Sequence, residues 1–243
     1  MSSARRSRAT LHAIVLYPGT RQAGYRIETV RSPKPRYIAV EGPIGVGKSS
    51  LAEILGQELS ARVVLDERPQ ENPFLGAFYR DRRRHAMSAQ LFFLLQRYSQ
   101  QGELAQGDLF SRGGVVTDYI FQKDRLFAAL NLTDDELGLY DRIYQMLKVR
   151  TVRPDLIVYL QARTEVLTER IRKRARPEEK PIQSSYVQEV AQAYADFFFN
   201  YNEGPLLIVN ASDIDFVGNA EHRRELISVI HNAPPGVSHW SRG

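Results

Sequence analysis

The sequence predicts a three-layer α/β fold, a parallel five-stranded sheet flanked by helices. Three observations carry that expectation. Five short runs are almost continuously apolar, as strands buried on both faces of a parallel sheet must be. They are residues 36–41 (RYIAVE), 62–67 (RVVLDE), 114–118 (GVVTD), 155–160 (DLIVYL) and 206–210 (LLIVN). Stretches of helical spacing lie between them, which implies right-handed β-α-β crossovers. The chain has 243 residues, 43% hydrophobic and 25% charged, which suits one compact domain with a sizeable core.

Residues 1–35 precede the first strand as a basic leader, read as disordered. Up to residue 36 the chain holds eight basic residues against Glu28 alone, so the rest is slightly acidic despite a net charge of +5. An Arg- and Ser-rich, acid-poor leader also fits a mis-assigned start, an arm for an acidic partner or a transit peptide. The basic balance therefore does not argue for a nucleic-acid binder. No apolar run nears the roughly 20 residues of a membrane span, so no membrane partner is expected. With no cysteine, disulfides and thiol chemistry are excluded, and a cytoplasmic location is expected, or a mitochondrial one if the leader is a transit peptide.

The first strand runs into GPIGVGKS, which matches G-x-x-x-x-G-K-S/T. Gly42, Gly45 and Gly47 let the backbone curl so that its N–H groups face phosphate oxygens. Pro43, Ile44, Val46 and Ser50 complete the cradle. Leu51, Ile54, Leu55 and Leu59 form the apolar stripe of a helix whose positive end adds to the anion site. Lys48 reaches the outer phosphates and the Ser49 hydroxyl joins a Mg²⁺ shell. The stretch is built to hold a nucleoside triphosphate, with ATP and Mg²⁺ the implied ligands.

Ligands of open α/β sheets bind beyond the carboxyl ends of the strands. The second strand leaves Asp66 and Glu67 at that rim, and the third leaves Asp118 there with Asp124 further on. Any one of these acids could equally cap a helix or sit in solvent. Between the two strands, Gln90 and Arg97 are seven apart on a helix and share a face; singly they read as surface residues. Phe92, Phe93 and Phe121 read first as core.

Thr133 and Glu136 form a capping box for a helix with Tyr140, Ile143, Tyr144 and Leu147 as its apolar face. After the fourth strand, ERIRKRARPEE (169–179) stacks Arg170 over Arg174 and carries Arg176 into a loop broken by Pro177. Such runs are usually solvated helix faces. Beside a phosphate cradle this one reads as an arginine-rich lid, because several guanidiniums at a helix end can clamp a phosphoryl group. Ser184 or Ser185 caps a helix to about Asn200, with Pro205 beyond. Residues 218–243 read as a terminal helix and a loose tail.

Taken together, IAVEGPIGVGKSSLA, ENPFLGAFYRD, AQLFFLLQRYSQ, VVTDYIFQKDRLFA, PDLIVYL, RIRKRARPEE and LLIVN resemble the deoxynucleoside kinase family. The likeness is greatest to its bacterial deoxyguanosine/deoxyadenosine branch, and the matching motifs lie within residues 36–217. The resemblance implies a P-loop kinase fold and transfer of the ATP γ-phosphoryl group to the 5′-hydroxyl of a deoxynucleoside, with a homodimer as the assembly. It implies that Glu67 takes the hydroxyl proton and that Asp118 helps hold Mg²⁺. Tyr79 and Glu179 fall at positions that touch the 3′-hydroxyl, and Gln90, Arg97 and Asp124 at base-reading positions. Arg170, Arg174 and Arg176 fall at the lid arginines over the phosphates.

One departure stands out. Many members place Arg and Ser after the acid of the third strand; here Tyr119 and Ile120 follow Asp118. A lid arginine or Lys123 is left to supply the missing cation. A nucleoside monophosphate kinase of the thymidylate type is the alternative, with Arg68 near its acceptor, though Glu67 would repel a bound monophosphate. A non-catalytic nucleotide- or nucleic-acid-binding protein is the third reading.

Overall fold

Successive strand residues face two different cores. In the first strand Ile38 and Val40 pack on one side, while Tyr37 and Ala39 pack on the other. This two-sided burial is why the strands read as unbroken apolar runs rather than as alternating ones. The computed structural model describes residues 36–66, 72–105, 114–148 and 151–242. The leader expected over 1–35, and Glu67 and Arg68, lie outside these residues.

The strands are β1 (Tyr37–Glu41), β2 (Arg62–Val64), β3 (Val115–Thr117), β4 (Leu156–Gln161), β5 (Leu206–Asn210) and β6 (Val237–Trp240). All pair in parallel, in the order β2-β3-β1-β4-β5-β6. The sheet thus has six strands where five were expected. The sixth comes from the segment read as a loose tail: Val237 pairs with Leu206 and Trp240 with Val209. As an edge strand of four residues with alternating exposure, β6 lacks the apolar signature of its neighbours. The Pro-Pro-Gly before it is a crossover turn, with Gly236 at φ 86°.

The helices are α1 (Lys48–Leu59), α2 (Leu75–Arg80), α3 (Arg82–Glu103), α4 (Lys123–Asn131), α5 (Asp134–Lys148), α6 (Thr164–Arg174), α7 (Ser184–Phe199) and α8 (Ala220–His231). Leu51 and Leu55 of α1, Leu167 and Ile171 of α6, and Leu226 and Ile230 of α8 cover one face of the sheet. Phe78 of α2, Phe93 of α3 and Tyr194 and Phe198 of α7 cover the other. Leu94, Phe121, Tyr140 and Tyr144 form a third cluster joining α3, α4 and α5. Each such side chain, fully buried, contributes about 1.5–3 kcal/mol.

The capping box forms: Glu136 Oε2 accepts from the Thr133 N–H at 3.0 Å, and the Glu136 N–H donates to Thr133 Oγ1 at 3.5 Å. The serine cap of α7 does not. Gln183 occupies the cap position with no side-chain bond, and Ser184 is already helical.

β1 lies between β3 and β4, so the chain leaves it in both directions across the sheet. That reversal opens a crevice at the carboxyl end of β1, where the glycine loop sits.

Candidate active site

The loop between β1 and α1 follows from its glycines. Gly42 adopts φ 147°, and a Cβ there would lie 2.2 Å from the Leu160 carbonyl oxygen; at Gly47 (φ 106°) it would lie 2.8 Å from the Phe216 ring. Larger residues would lift the loop off the sheet or strain the entry to α1. Val46 is wholly buried, its N–H donating to the Pro43 carbonyl at 3.3 Å and its carbonyl accepting from Arg170 at 3.2 Å, so it shapes the loop from inside. Lys48 Nζ donates to the Gly42 and Pro43 carbonyls at 2.8 and 3.2 Å, which holds its ammonium over the loop. Burial, reinforced by the charge of Lys123, lowers its pKa to about 8. A phosphate beside it would raise it again.

Beside Lys48, Ser49 Oγ donates to Asp118 Oδ2 at 2.5 Å. The other Asp118 oxygen accepts the Asp66 backbone N–H, also at 2.5 Å. The ends of β2 and β3 are thereby tied to the start of α1. Among the described residues no group of three or more His, Asp or Glu gathers as a metal site. One hydroxyl with one carboxylate suits an ion that takes its remaining ligands from phosphate and water, as Mg²⁺ does.

From Lys48 and Ser49 a cavity extends past Asp66, Asp118 and Lys123 to Gln90 and Arg97, with Tyr79, Arg174, Arg176 and Glu179 over it. Gln90 and Arg97 do share a face of α3, and both are buried. Gln90 lines the cavity and its buried Oε1 has no hydrogen-bond partner, which leaves an acceptor that a ligand N–H could satisfy. Arg97 grips Asp66 with Nε and Nη2 at 2.5 and 2.9 Å and donates from Nη1 to Asp124. Asp124 does not line the cavity. It is fully buried behind Arg97, where Tyr140 Oη donates to it at 2.6 Å, and it can act on a ligand only by fixing Arg97.

Of the candidate phenylalanines, Phe93 lines the cavity, as do Phe78 and Phe127, which the sequence did not single out. Phe121 instead stacks on Tyr144 at 5.3 Å, and Phe92 meets Phe74 and Phe93 edge-on.

The lid arginines divide. Arg174 donates to Glu179 from Nε and Nη2 at 3.2 and 2.5 Å, and Arg176 lies 3.7 Å from the same carboxylate. Arg170 faces away from this cavity. Its guanidinium bonds the carbonyls of Val46, Ala211 and Ile214 at 3.2, 2.9 and 3.2 Å, which ties the glycine loop to the segment after β5. A second cavity beyond it, lined by Ser50, Phe216 and Gly218, lies on the far side of the glycine loop.

Glu41 gained significance only in three dimensions, and Asp66, read in the sequence as a rim acid, gained its role there. Glu41, the acid ending β1, is fully buried and accepts from Gly42 N, Ile120 N and Tyr194 Oη at 3.0, 2.8 and 3.0 Å. Burial raises its pKa against the opposing charges of Lys123 and Lys48. Its signal was an acid closing an otherwise apolar strand. Asp66 receives Arg97 on both oxygens and Lys123 on one. Burial would raise its carboxyl, but those two cations prevail and hold it well below the usual carboxylate range.

A glycine loop at the end of the central strand of a parallel sheet, opening onto an acceptor cavity, defines the class: a P-loop kinase. The chain belongs to the deoxynucleoside kinase family, whose model matches residues 38–233. It is 33% identical to the deoxyguanosine kinase of Bacillus subtilis (strain 168) over 202 residues, covering 79% of this chain and 97% of that one. To the deoxyadenosine/deoxycytidine kinase of the same organism it is 29% identical over 212 residues, covering 82% and 95%. Its fold is similar to that of deoxyadenosine kinase from M. mycoides with bound dATP. The TM-score is 0.68 at 22% identity, over 79% of this chain and 97% of that chain.

Proposed function

We propose that the protein transfers the γ-phosphoryl group of ATP to the 5′-hydroxyl of a purine deoxynucleoside, in nucleotide salvage. The observation that carries this reading is the charge pairing of the cavity beyond the glycine loop. Arg97 and Lys123 face Asp66 and Asp124, and Arg174 and Arg176 face Glu179. Such an acceptor end suits a neutral nucleoside; a monophosphate needs cations not already offset by carboxylates. The relatives named deoxyguanosine and deoxyadenosine kinases support a purine.

In this reading Gly42–Ser50 cradle the triphosphate, Lys48 bears on its outer phosphates, and Arg174 and Arg176, held by Glu179, border the migrating group. Arg170 holds the loop in shape. Gln90 and Arg97 read the base, with Asp124 fixing Arg97, while Tyr79 and Glu179 meet the sugar 3′-hydroxyl. Ser49 and Asp118 would hold Mg²⁺, which when bound offsets charge on the phosphate oxygens. Glu67, next in the chain after Asp66, takes the hydroxyl proton. The new bond joins the 5′-oxygen to the γ-phosphorus as the bond to the β–γ bridging oxygen breaks, and ADP leaves.

Exposed Leu139 and Met146, seven apart on α5, support a homodimer as the assembly, which sedimentation would test. No described helix is long and apolar enough to cross a membrane; we place the enzyme in the cytoplasm, or in mitochondria if the leader is a transit peptide. The base assignment is tested with Glu67→Gln. Turnover should fall about 10²–10⁴-fold with deoxynucleoside binding retained; undiminished turnover would refute it.

A further inference from the structure

Lys123 is the first residue of α4, and its ammonium is among the most buried cations of the fold, with 5% of the residue exposed. It donates to Asp66 Oδ2. It also lines the cavity between the phosphate end, marked by Lys48, Ser49 and Asp118, and the end marked by Gln90 and Arg97. Its charge bears on Lys48 and on Glu41 beneath the loop. The two residues after Asp118 supply no cation there: Tyr119 and Ile120 carry no positive charge, and both are core side chains.

Resting on the kinase reading above, we propose that Lys123 is the catalytic cation at the junction of acceptor and donor. It would hydrogen-bond the 5′-oxygen and the incoming phosphoryl oxygens while Asp66 fixes its position. An ammonium on a four-carbon stem can hold a carboxylate and an incoming oxygen together. Asp66 is well placed as the holder, because its backbone N–H binds Asp118 and its carboxylate binds Arg97. One residue thus sets the phosphate-side acid, the base-side arginine and the lysine between them. Lys123 gives up no proton in this step. The hydroxyl proton goes to the base, the 5′-oxygen–phosphorus bond forms and the bond to the ADP oxygen breaks.

The test compares wild type, Lys123→Gln, Lys123→Arg and Asp66→Asn in phosphate transfer from ATP to deoxyguanosine, with kcat expressed per ATP-binding site so that unfolded material does not count. Lys123→Gln should lower kcat about 10²-fold, as loss of one donor to a transition-state oxygen does, with both KM values within about threefold of wild type. Lys123→Arg should recover at least about tenfold of that loss, and Asp66→Asn should lower kcat less than Lys123→Gln while raising the deoxynucleoside KM through Arg97. The proposal is overturned by a Lys123→Gln kcat within threefold of wild type. It is also overturned if Lys123→Arg is no better than Lys123→Gln, or if Lys123→Gln retains no ATP-binding sites, because each marks a structural ion pair. An inactive wild type would refute the kinase reading itself; an active wild type with an equally active Lys123→Gln would refute only the role of Lys123.

Discussion

Arg174 and Glu179 are joined by two hydrogen bonds, from Nε at 3.2 Å and Nη2 at 2.5 Å, across the Pro177–Glu179 turn that follows α6. One carboxylate over the acceptor cavity thus holds the arginine that the phosphate end needs. If the pair acts as a unit, Arg174→Ala and Glu179→Ala should each lower kcat/KM about tenfold, and the double variant should fall little below the worse single one. The coupling should be about 1 kcal/mol, modest because Arg174 is partly exposed. Losses that simply multiply would show that the two side chains work separately.

The glycine loop makes a second prediction. Gly47→Ala would meet the Phe216 ring and force alanine to φ 106°. Strain of this kind costs about 1–3 kcal/mol, so ATP binding measured by calorimetry should weaken by about 5–150-fold. Adding Phe216→Ala removes the clash but not the backbone strain, so the double variant should recover only part of the affinity. Full recovery would mean that crowding alone requires glycine there.

Lys48 links ATP binding to protons. Its pKa of about 8 in the free protein rises when phosphates arrive, so binding at pH 8 should take up close to half a proton and binding at pH 6.5 almost none. Calorimetry in two buffers of different ionisation enthalpy measures this directly. Equal uptake at both pH values would place the titrating group elsewhere.

Asp66 makes stability depend on pH in the acid range. Its folded pKa lies below its unfolded value, so its contribution is complete above the ordinary Asp pKa of about 3.9 and disappears as pH falls toward the folded value. Removing one partner of a buried pair costs about 3–5 kcal/mol. Asp66→Asn should therefore lower the Tm most at pH 6–7, and the gap from wild type should narrow below pH 4. A gap independent of pH would show that Asp66 acts through packing alone.

Much of this architecture was legible in the chain because its signals are local. Four of the five apolar strands are buried on both faces, β2 being a partly exposed edge strand, and the glycine loop needed only its spacing between a strand and a helix. The site's polar network was not local. Arg97 meets Asp66 across 31 residues and Lys123 meets it across 57, separations over which no periodicity in the sequence informs. Helical phase puts Phe93, three residues from Gln90 and four from Arg97, on their face of α3 and Phe92 off it, but it could not tell a cavity wall from core. Edge strand β6 escaped notice because a strand half open to solvent has no continuous apolar run. Arg170 read like its neighbours in a basic run, and only the carbonyls around it show a brace for the loop.

The choice of acceptor, a neutral deoxynucleoside rather than its monophosphate, decides the proposed reaction. It is tested most directly by incubating the protein with γ-labelled ATP and Mg²⁺ and each of the four deoxynucleosides or their 5′-monophosphates. Label in a deoxynucleoside 5′-monophosphate, strongest from deoxyguanosine or deoxyadenosine and with the monophosphates inert as acceptors, is the expected result. Label appearing only in diphosphates would contradict it, and would make the acceptor end of the cavity a phosphate site despite its paired cations.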